Sequence, residues 1–203
     1  MFIKSSGRIP VSFFDREAPI VAPALLGKIL VRQYQNSRLA GIIIETEAYQ
    51  DEEDLACHAR AGRTPRTEVM YWAAGHAYVY FTYGMHWLLN CVTDNKNVPS
   101  AVLIRAILPI DGLNIIAKLR KNRPQREWCN GPAKLCQALA INGSFNGSSL
   151  VNNGTQLWIE DAESYEKADI ISGPRVGINT VPEPWKSKPW RFLVKQYQQT
   201  LAK

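Results

Sequence analysis

Ile42, Ile43 and Ile44 form a β-branched block behind Gly41, and two carboxylates and a tyrosine follow at alternate positions. This pattern predicts a buried strand over Leu39–Tyr49. On a two-residue period, Ile43, Glu45, Glu47 and Tyr49 share one face, with Ile42, Ile44, Thr46 and Ala48 on the other. Lys28–Tyr34 reads as the preceding strand, with Gln35–Arg38 as the turn between them. Farther on, Tyr78 and Tyr80 share a strand face, Tyr83-Gly84 marks a turn, and the strand resumes through Trp87, Leu89 and Cys91. Ala101–Leu108 is a nearly continuous apolar run holding one charge, Arg105. A charge on a buried strand must be paired or solvated, so Arg105 is expected to point into a cleft. Short strands are also expected over Gln156–Glu160, Arg175–Asn179 and Trp190–Tyr197.

Helical signals are fewer. Asp15 is placed to cap a short helix ending near Gly27, and Pro19 and Pro23 disturb its first turns. Asp111 is placed to cap a helix over Gly112–Lys121, and Asn130-Gly131-Pro132 opens another through Ala140. Residues 1–11 read as a flexible arm and 142–154, rich in Asn, Gly and Ser, as a surface loop. Residues 50–70 form a long polar loop, and loops of that length are usually functional or mobile. No repeat or linker divides the 203 residues, so one α+β domain spanning 1–203 is expected.

A hydrophobic content of 46% with 10% aromatics argues against disorder. No apolar run reaches the length of a bilayer, and MFIKSSGRIP lacks the apolar centre of a signal peptide, so a cytoplasmic location with no membrane contact is expected. Cys57, Cys91, Cys129 and Cys136 contain no Cys-x-x-Cys pair, which points to reduced, buried thiols rather than a disulfide scaffold or structural zinc. The net charge of +6 is unevenly spread. Basic residues gather at Arg60, Arg63 and Arg66, at Lys118, Arg120, Lys121, Arg123 and Arg126, and at Lys186, Lys188, Arg191 and Lys195. Such clusters are an electrostatic footprint for nucleic acid, or simply a solvated basic surface.

The candidate chemistry admits several readings. Glu45 and Glu47 are two apart on one strand face, about 7 Å between their α-carbons. That separation suits an inverting sugar hydrolase, unless one acid is structural and paired with a cation such as Arg105. Asp51, Glu52, Glu53, Asp54 and His58 offer oxygens and a nitrogen to a divalent cation, as in a nuclease. Their spacing matches no defined metal loop, and a solvated acidic turn is the alternative. Cys57-His58 makes a poor nucleophile pair, because neighbours on an extended chain point to opposite faces. Tyr83 and Met85 stand at a hairpin tip, where large apolar groups suit insertion between stacked bases; a capped hydrophobic turn is the other possibility.

Taken together, ETEAY at 45–49, the D-x-A-x-H of Asp54 to His58, GRTPR at 62–66, YVYFTYGM at 78–85, SAVLIRA at 100–106, NGPAKLCQAL at 130–139 and PRVGI at 174–178 resemble, in order, the motifs of the alkyladenine (3-methyladenine) DNA glycosylases. The resemblance runs from about Leu25 to Phe192. Departures fall at Leu108, where the family often has an acid, at Tyr71–Ala74, which lacks the usual prolines, and at Pro23.

The resemblance implies a curved, mostly antiparallel sheet with flanking helices and a β-hairpin that inserts into DNA. It further implies a base-excision repair enzyme, nucleoid-associated in a bacterium, that needs no metal or organic cofactor; that no long apolar edge or heptad appears in the sequence points to a monomer. Such an enzyme flips an alkylated purine (3-methyladenine, and also 7-methylguanine, hypoxanthine or etheno-adenine) from duplex DNA and hydrolyses its N-glycosidic bond. Carried over by motif, Glu47 is the general base and Arg105 orients the water and the adjacent phosphate. Tyr49 stacks on one face of the base, and His58 with Tyr80 closes the other. Asn90 clashes with the 2-amino group of guanine, and Tyr83 fills the gap in the duplex with Met85 beside it. No lysine adjoins Glu47, so hydrolysis without strand nicking is expected. Two competitors use the same residues: a non-catalytic nucleic-acid-binding module, and a metal-dependent nuclease built on Asp51–Asp54 and His58.

Overall fold

The computed structural model describes residues 6–201. Its strands are β1 (Gly7–Arg8), β2 (Ile29–Tyr34), β3 (Ser37–Tyr49), β4 (Ala77–Thr82), β5 (His86–Thr93), β6 (Ser100–Asp111), β7 (Leu157–Asp161), β8 (Ile170–Gly173) and β9 (Arg191–Val194), with short helices α1 (Val11–Phe14), α2 (Ala18–Ala24), α3 (Leu113–Leu119), α4 (Pro132–Ala138) and α5 (Gln198–Leu201). All strand pairs are antiparallel, in one curled sheet ordered β1-β7-β2-β3-β6-β5-β4. The fold is α+β, as the pattern predicts.

β3 organises the sheet because it is 13 residues long and outlasts its neighbour. On one edge it pairs with β6 from Ala40 to Tyr49. On the other it pairs with β2 as far as Ile42 and then, from Glu45 to Glu47, with β9. β9 in turn carries β8. Helices α2 and α4 pack on β3, β5 and β6, enclosing a core that includes Val21, Leu25, Ile43, Leu89, Ile104, Leu135 and Leu139. Each such fully buried aliphatic side chain contributes roughly 1.5–3 kcal/mol.

The simple alternation predicted along β3 fails at one point. Pairing with β6 runs Ile43↔Ile107, then Glu45↔Ala106, then Thr46↔Ile104, so Ile44 on β3 and Arg105 on β6 are each bulged out of register. A bulge reverses which face the following residues present. Ile43 and Ala48 consequently share the main core, while Ile42 and Ile44 join Ala106 in a separate cluster. Glu45, Glu47 and Tyr49 still lie together, but on the face opposite Ile43 rather than with it.

Other expectations are corrected by tertiary contacts. Asp15 does not cap α2; it terminates α1, Glu17 takes the N-cap position without a side-chain bond, and the Ala18 N–H donates to Gln50 Oε1 at 2.8 Å. Asp111 ends β6, accepting from the Gly112 N–H at 2.8 Å and from Arg38 at 3.0 Å, and Gly112 itself caps α3 with φ +68°. Arg175–Asn179 is not a strand but a turn-rich strap; the strand lies just before it, as β8. The expected arm divides: residues 1–5 lie outside the described residues, whereas Gly7 and Arg8 pair with β7 and Ile9 is buried. The Asn/Gly/Ser-rich loop buries Phe145 and Leu150. The 50–70 loop folds into two 3₁₀ turns, His58–Ala61 and Glu68–Tyr71, over a second cluster that includes Met70, Tyr71 and Tyr78. All four cysteines are free and buried. No helix among the described residues is long and apolar enough to cross a membrane.

Candidate active site

The bulged half of β3 delivers Glu47 to the wall of a cavity of about 390 Å³. Its carboxylate is wholly buried and held from three sides. The Val176 N–H donates to Oε1 at 2.7 Å, the Tyr49 hydroxyl donates to Oε2 at 2.9 Å, and Arg105 Nη1 lies 3.4 Å from Oε1. Burial raises its pKa above the ordinary carboxylate value, with Arg105 and the two hydrogen bonds opposing the rise. A carboxylate so placed is a stronger base than a solvated one. Tyr49, under the same burial and beside Glu47, has its hydroxyl pKa pushed well above 10, so it stays a donor.

Glu45 is the structural partner of the pair. Its Oε1 accepts from Arg105 Nε at 3.1 Å and from Arg191 Nε at 2.6 Å. Arg105 thus bridges both acids and, as its lone charge on a buried strand required, reaches the cavity.

Tyr49, His58, Tyr80, Tyr83 and Asn90 line the same cavity. His58 Nδ1 exchanges a hydrogen bond of 2.9 Å with the Tyr78 hydroxyl, and its ring meets Tyr80 edge-on, 4.5 Å between centroids. Burial, with Arg66 and Arg60 adding to it, lowers the His58 pKa to about 4, so the ring is neutral at pH 7. Asn90, nearly buried, donates from Nδ2 to the Tyr78 carbonyl at 3.1 Å. Cys57 also lines the cavity, but burial pushes its thiol pKa up to about 12, which rules out a thiolate at neutral pH.

Above the cavity, the β4–β5 turn leaves Tyr83 83% and Met85 67% exposed. The Met85 N–H donates to the Thr82 carbonyl at 3.2 Å, closing a turn in which Tyr83 has φ +51° and Gly84 φ +66°. A left-handed L-residue costs roughly 1–2 kcal/mol, and Tyr83 recovers none of it by burial. A second, more open cavity of about 890 Å³ adjoins the first at Arg105 and Pro132, and Arg120, Lys121, Arg123 and Lys134 lie along it.

Sequence reasoning named PRVGI at 174–178 only as a motif and Arg175–Asn179 as a strand, and gave the strap no role at the site. Val176, Gly177 and Ile178 line the cavity, and a backbone N–H on Glu47 leaves no residue-type signal. It also missed that Asp54 is not available to a metal: both its oxygens accept from Arg175, at 2.5 and 2.9 Å. Glu52 likewise accepts from the Tyr71 hydroxyl at 2.6 Å.

Comparison with known proteins gives this geometry its class. The family model described as methylpurine-DNA glycosylase (MPG) matches residues 12–198. A protein of Carboxydothermus hydrogenoformans is 46% identical over 92% of this chain and 95% of its own length, and one of Methanocella arvoryzae is 46% identical over 92% of each. A third, from Desulfitobacterium hafniense, is 40% identical over 97% of this chain and 99% of its own. All three carry the provisional name 3-methyladenine DNA glycosylase. The protein is a DNA glycosylase, a DNA-repair hydrolase acting on N-glycosyl bonds. Within that class, the chain belongs to the methylpurine-DNA glycosylase family.

Proposed function

We propose that the protein extrudes an alkylated purine from duplex DNA into the Glu47 cavity and hydrolyses its glycosidic bond with a carboxylate-activated water, leaving an abasic site. The observation that carries this reading is the fully buried, three-point-held Glu47 carboxylate opening on a cavity lined by Tyr49, His58 and Tyr80. Glycosidic cleavage passes through an oxocarbenium-like state. A negative group beside C1′ stabilises that charge and takes the proton of the attacking water, a contribution of about 10²–10⁴-fold. Arg105, anchored on Glu45, orients the water and the neighbouring phosphate.

Extruding the base costs a few kcal/mol, less at a damaged pair. Stacking on Tyr49 and against the His58–Tyr80 pair offsets roughly 1–3 kcal/mol of that, with about 0.5–2 kcal/mol more from cation–π attraction when the base is positively charged. Tyr83 occupies the gap in the duplex with Met85 beside it, and Asn90 excludes the 2-amino group of normal guanine. The neutral His58 ring is a poor proton donor, which supports cationic 3-methyladenine and 7-methylguanine over hypoxanthine and etheno-adenine. The enzyme works as a monomer in the cytoplasm, at the nucleoid if the cell is bacterial. Incubating it with methylated duplex DNA in EDTA and identifying the freed bases tests the whole reading. Release of 3-methyladenine with the strand left intact is expected. Binding without release would leave the binding-module reading, and EDTA-sensitive nicking of undamaged DNA the nuclease.

A further inference from the structure

Arg175 and Asp54 form a buried ion pair that the chemistry above does not use. Both side chains are entirely shielded from water. The guanidinium donates to both Asp54 oxygens, to the Ala48 carbonyl at 2.9 Å and to the Trp185 carbonyl at 3.2 Å. It therefore ties the end of β3, the acidic loop leading to His58 and the 174–190 strap at one point. Removing an ion pair from water is costly, and apolar residues of similar volume often serve folding as well. The location of the pair suggests what it does instead. The residue after Arg175 is Val176, whose N–H sits 2.7 Å from Glu47 Oε1, and the guanidinium carbon lies 4.7 Å from the Tyr49 ring centroid.

We propose that Arg175, clamped by Asp54, is a positioning residue: it seats the Val176 N–H on the catalytic carboxylate and braces the Tyr49 ring against which the substrate base stacks. Glu47 feels five groups: Glu45 and Tyr49 from β3, Arg105 from β6, Tyr80 from β4 and the Val176 N–H from the strap. Arg175 borders two of them, the Tyr49 ring and the Val176 N–H. The hydrogen bond from Val176 favours the ionised carboxylate, so releasing the clamp moves Glu47 to a higher pKa and the acid limb of the pH–rate profile to higher pH. Displacements of about 1 Å at a reacting group cost up to about 100-fold in rate.

This inference rests on the glycosylase reading, and the test keeps the two apart. Arg175→Lys keeps the charge but not the fork, and Asp54→Asn keeps the shape but not the charge. Both are compared with wild type in single-turnover base release across pH, in binding to duplex holding a stable abasic analogue, and in the titration of Glu47 followed by NMR of ¹³C-labelled glutamate. Expected are a rate loss of about 10–100-fold, an upward shift of the acid limb and of the Glu47 titration, and a DNA affinity changed far less than the rate. A folded variant with wild-type rate, pH profile and titration overturns the proposal. So does failure of both variants to fold, which would assign the pair to stability. If wild type releases no base, the glycosylase reading falls, and the Glu47 titration still decides the clamp.

Discussion

Glu47→Gln tests the catalytic assignment and the electrostatics of the site together. The substitution is nearly isosteric: the amide oxygen can accept from the Val176 N–H, and the Tyr49 hydroxyl can turn to accept from the new NH₂ group. Arg105 keeps Glu45 as its partner. Lost are the base and its charge. Removing general-base assistance of 10²–10⁴-fold amounts to about 3–5 kcal/mol of barrier. Stability should move the other way. The folded-state pKa of Glu47 is raised by burial, so the stability its protonated form supplies is complete below the ordinary carboxylate pKa. That stability is lost as pH rises through the raised value. Ionised Glu47 is therefore a burden at neutral pH that glutamine does not carry. Base release under single-turnover conditions in EDTA should fall at least 100-fold, and thermal melts followed upward in pH from the ordinary carboxylate range should show the variant gaining on wild type. A rate within threefold of wild type would remove Glu47 from the mechanism. A variant that loses ground to wild type with rising pH would refute the burial argument.

Tyr83→Gly relieves a left-handed backbone at an exposed position, so melting temperature should hold or rise by the equivalent of up to about 1 kcal/mol. Excision should fall about 5–150-fold, the worth of one base–aromatic stack of 1–3 kcal/mol; loss of stability with unchanged excision would return the hairpin tip to a structural role. His58 has a folded pKa of about 4, below its ordinary 6.5, so the unfolded chain takes up a proton that the folded one refuses. Stability should decline as pH falls from about 6.5 toward 4, and His58→Asn should flatten that part of a denaturation series; an unchanged slope would refute the assignment. Lys121→Glu with Arg123→Glu, beside the open basic cavity, should weaken binding to damaged and undamaged duplex alike. The salt slope should drop by about 0.9 for each phosphate no longer neutralised, and an unaltered slope in an affinity titration would move the DNA path elsewhere.

Local pattern was enough for the strands around the site. The isoleucine block, the Tyr83-Gly84 turn and the single charge in Ala101–Leu108 announce β3, the β4–β5 hairpin and β6, because side-chain period and turn chemistry act between near neighbours. The grouping of Glu45, Glu47 and Tyr49 was likewise legible, since two-residue spacing survives the bulge. What precedes the bulge was not: nothing at Ile44 or Arg105 signals that each falls out of register, and the slip is set by how two strands meet across the sheet. Asp15 and Asp111 looked like helix caps for the same reason. Their residue type suits the role, but Gln50 and Arg38 arrive from elsewhere in the chain and settle the ends differently.

The sequence by itself determined the α+β class and, through its ordered motifs, the family, and it nominated the candidate site residues. Only the tertiary structure decided the state of those residues. It assigned Glu45 to Arg105 and Arg191, turned Asp54 from a candidate metal ligand into the anchor of Arg175, and brought a backbone N–H from position 176 to the carboxylate at 47. Charge, burial and hydrogen bonding at a site depend on which distant groups are packed together, and spacing along the chain carries no record of that.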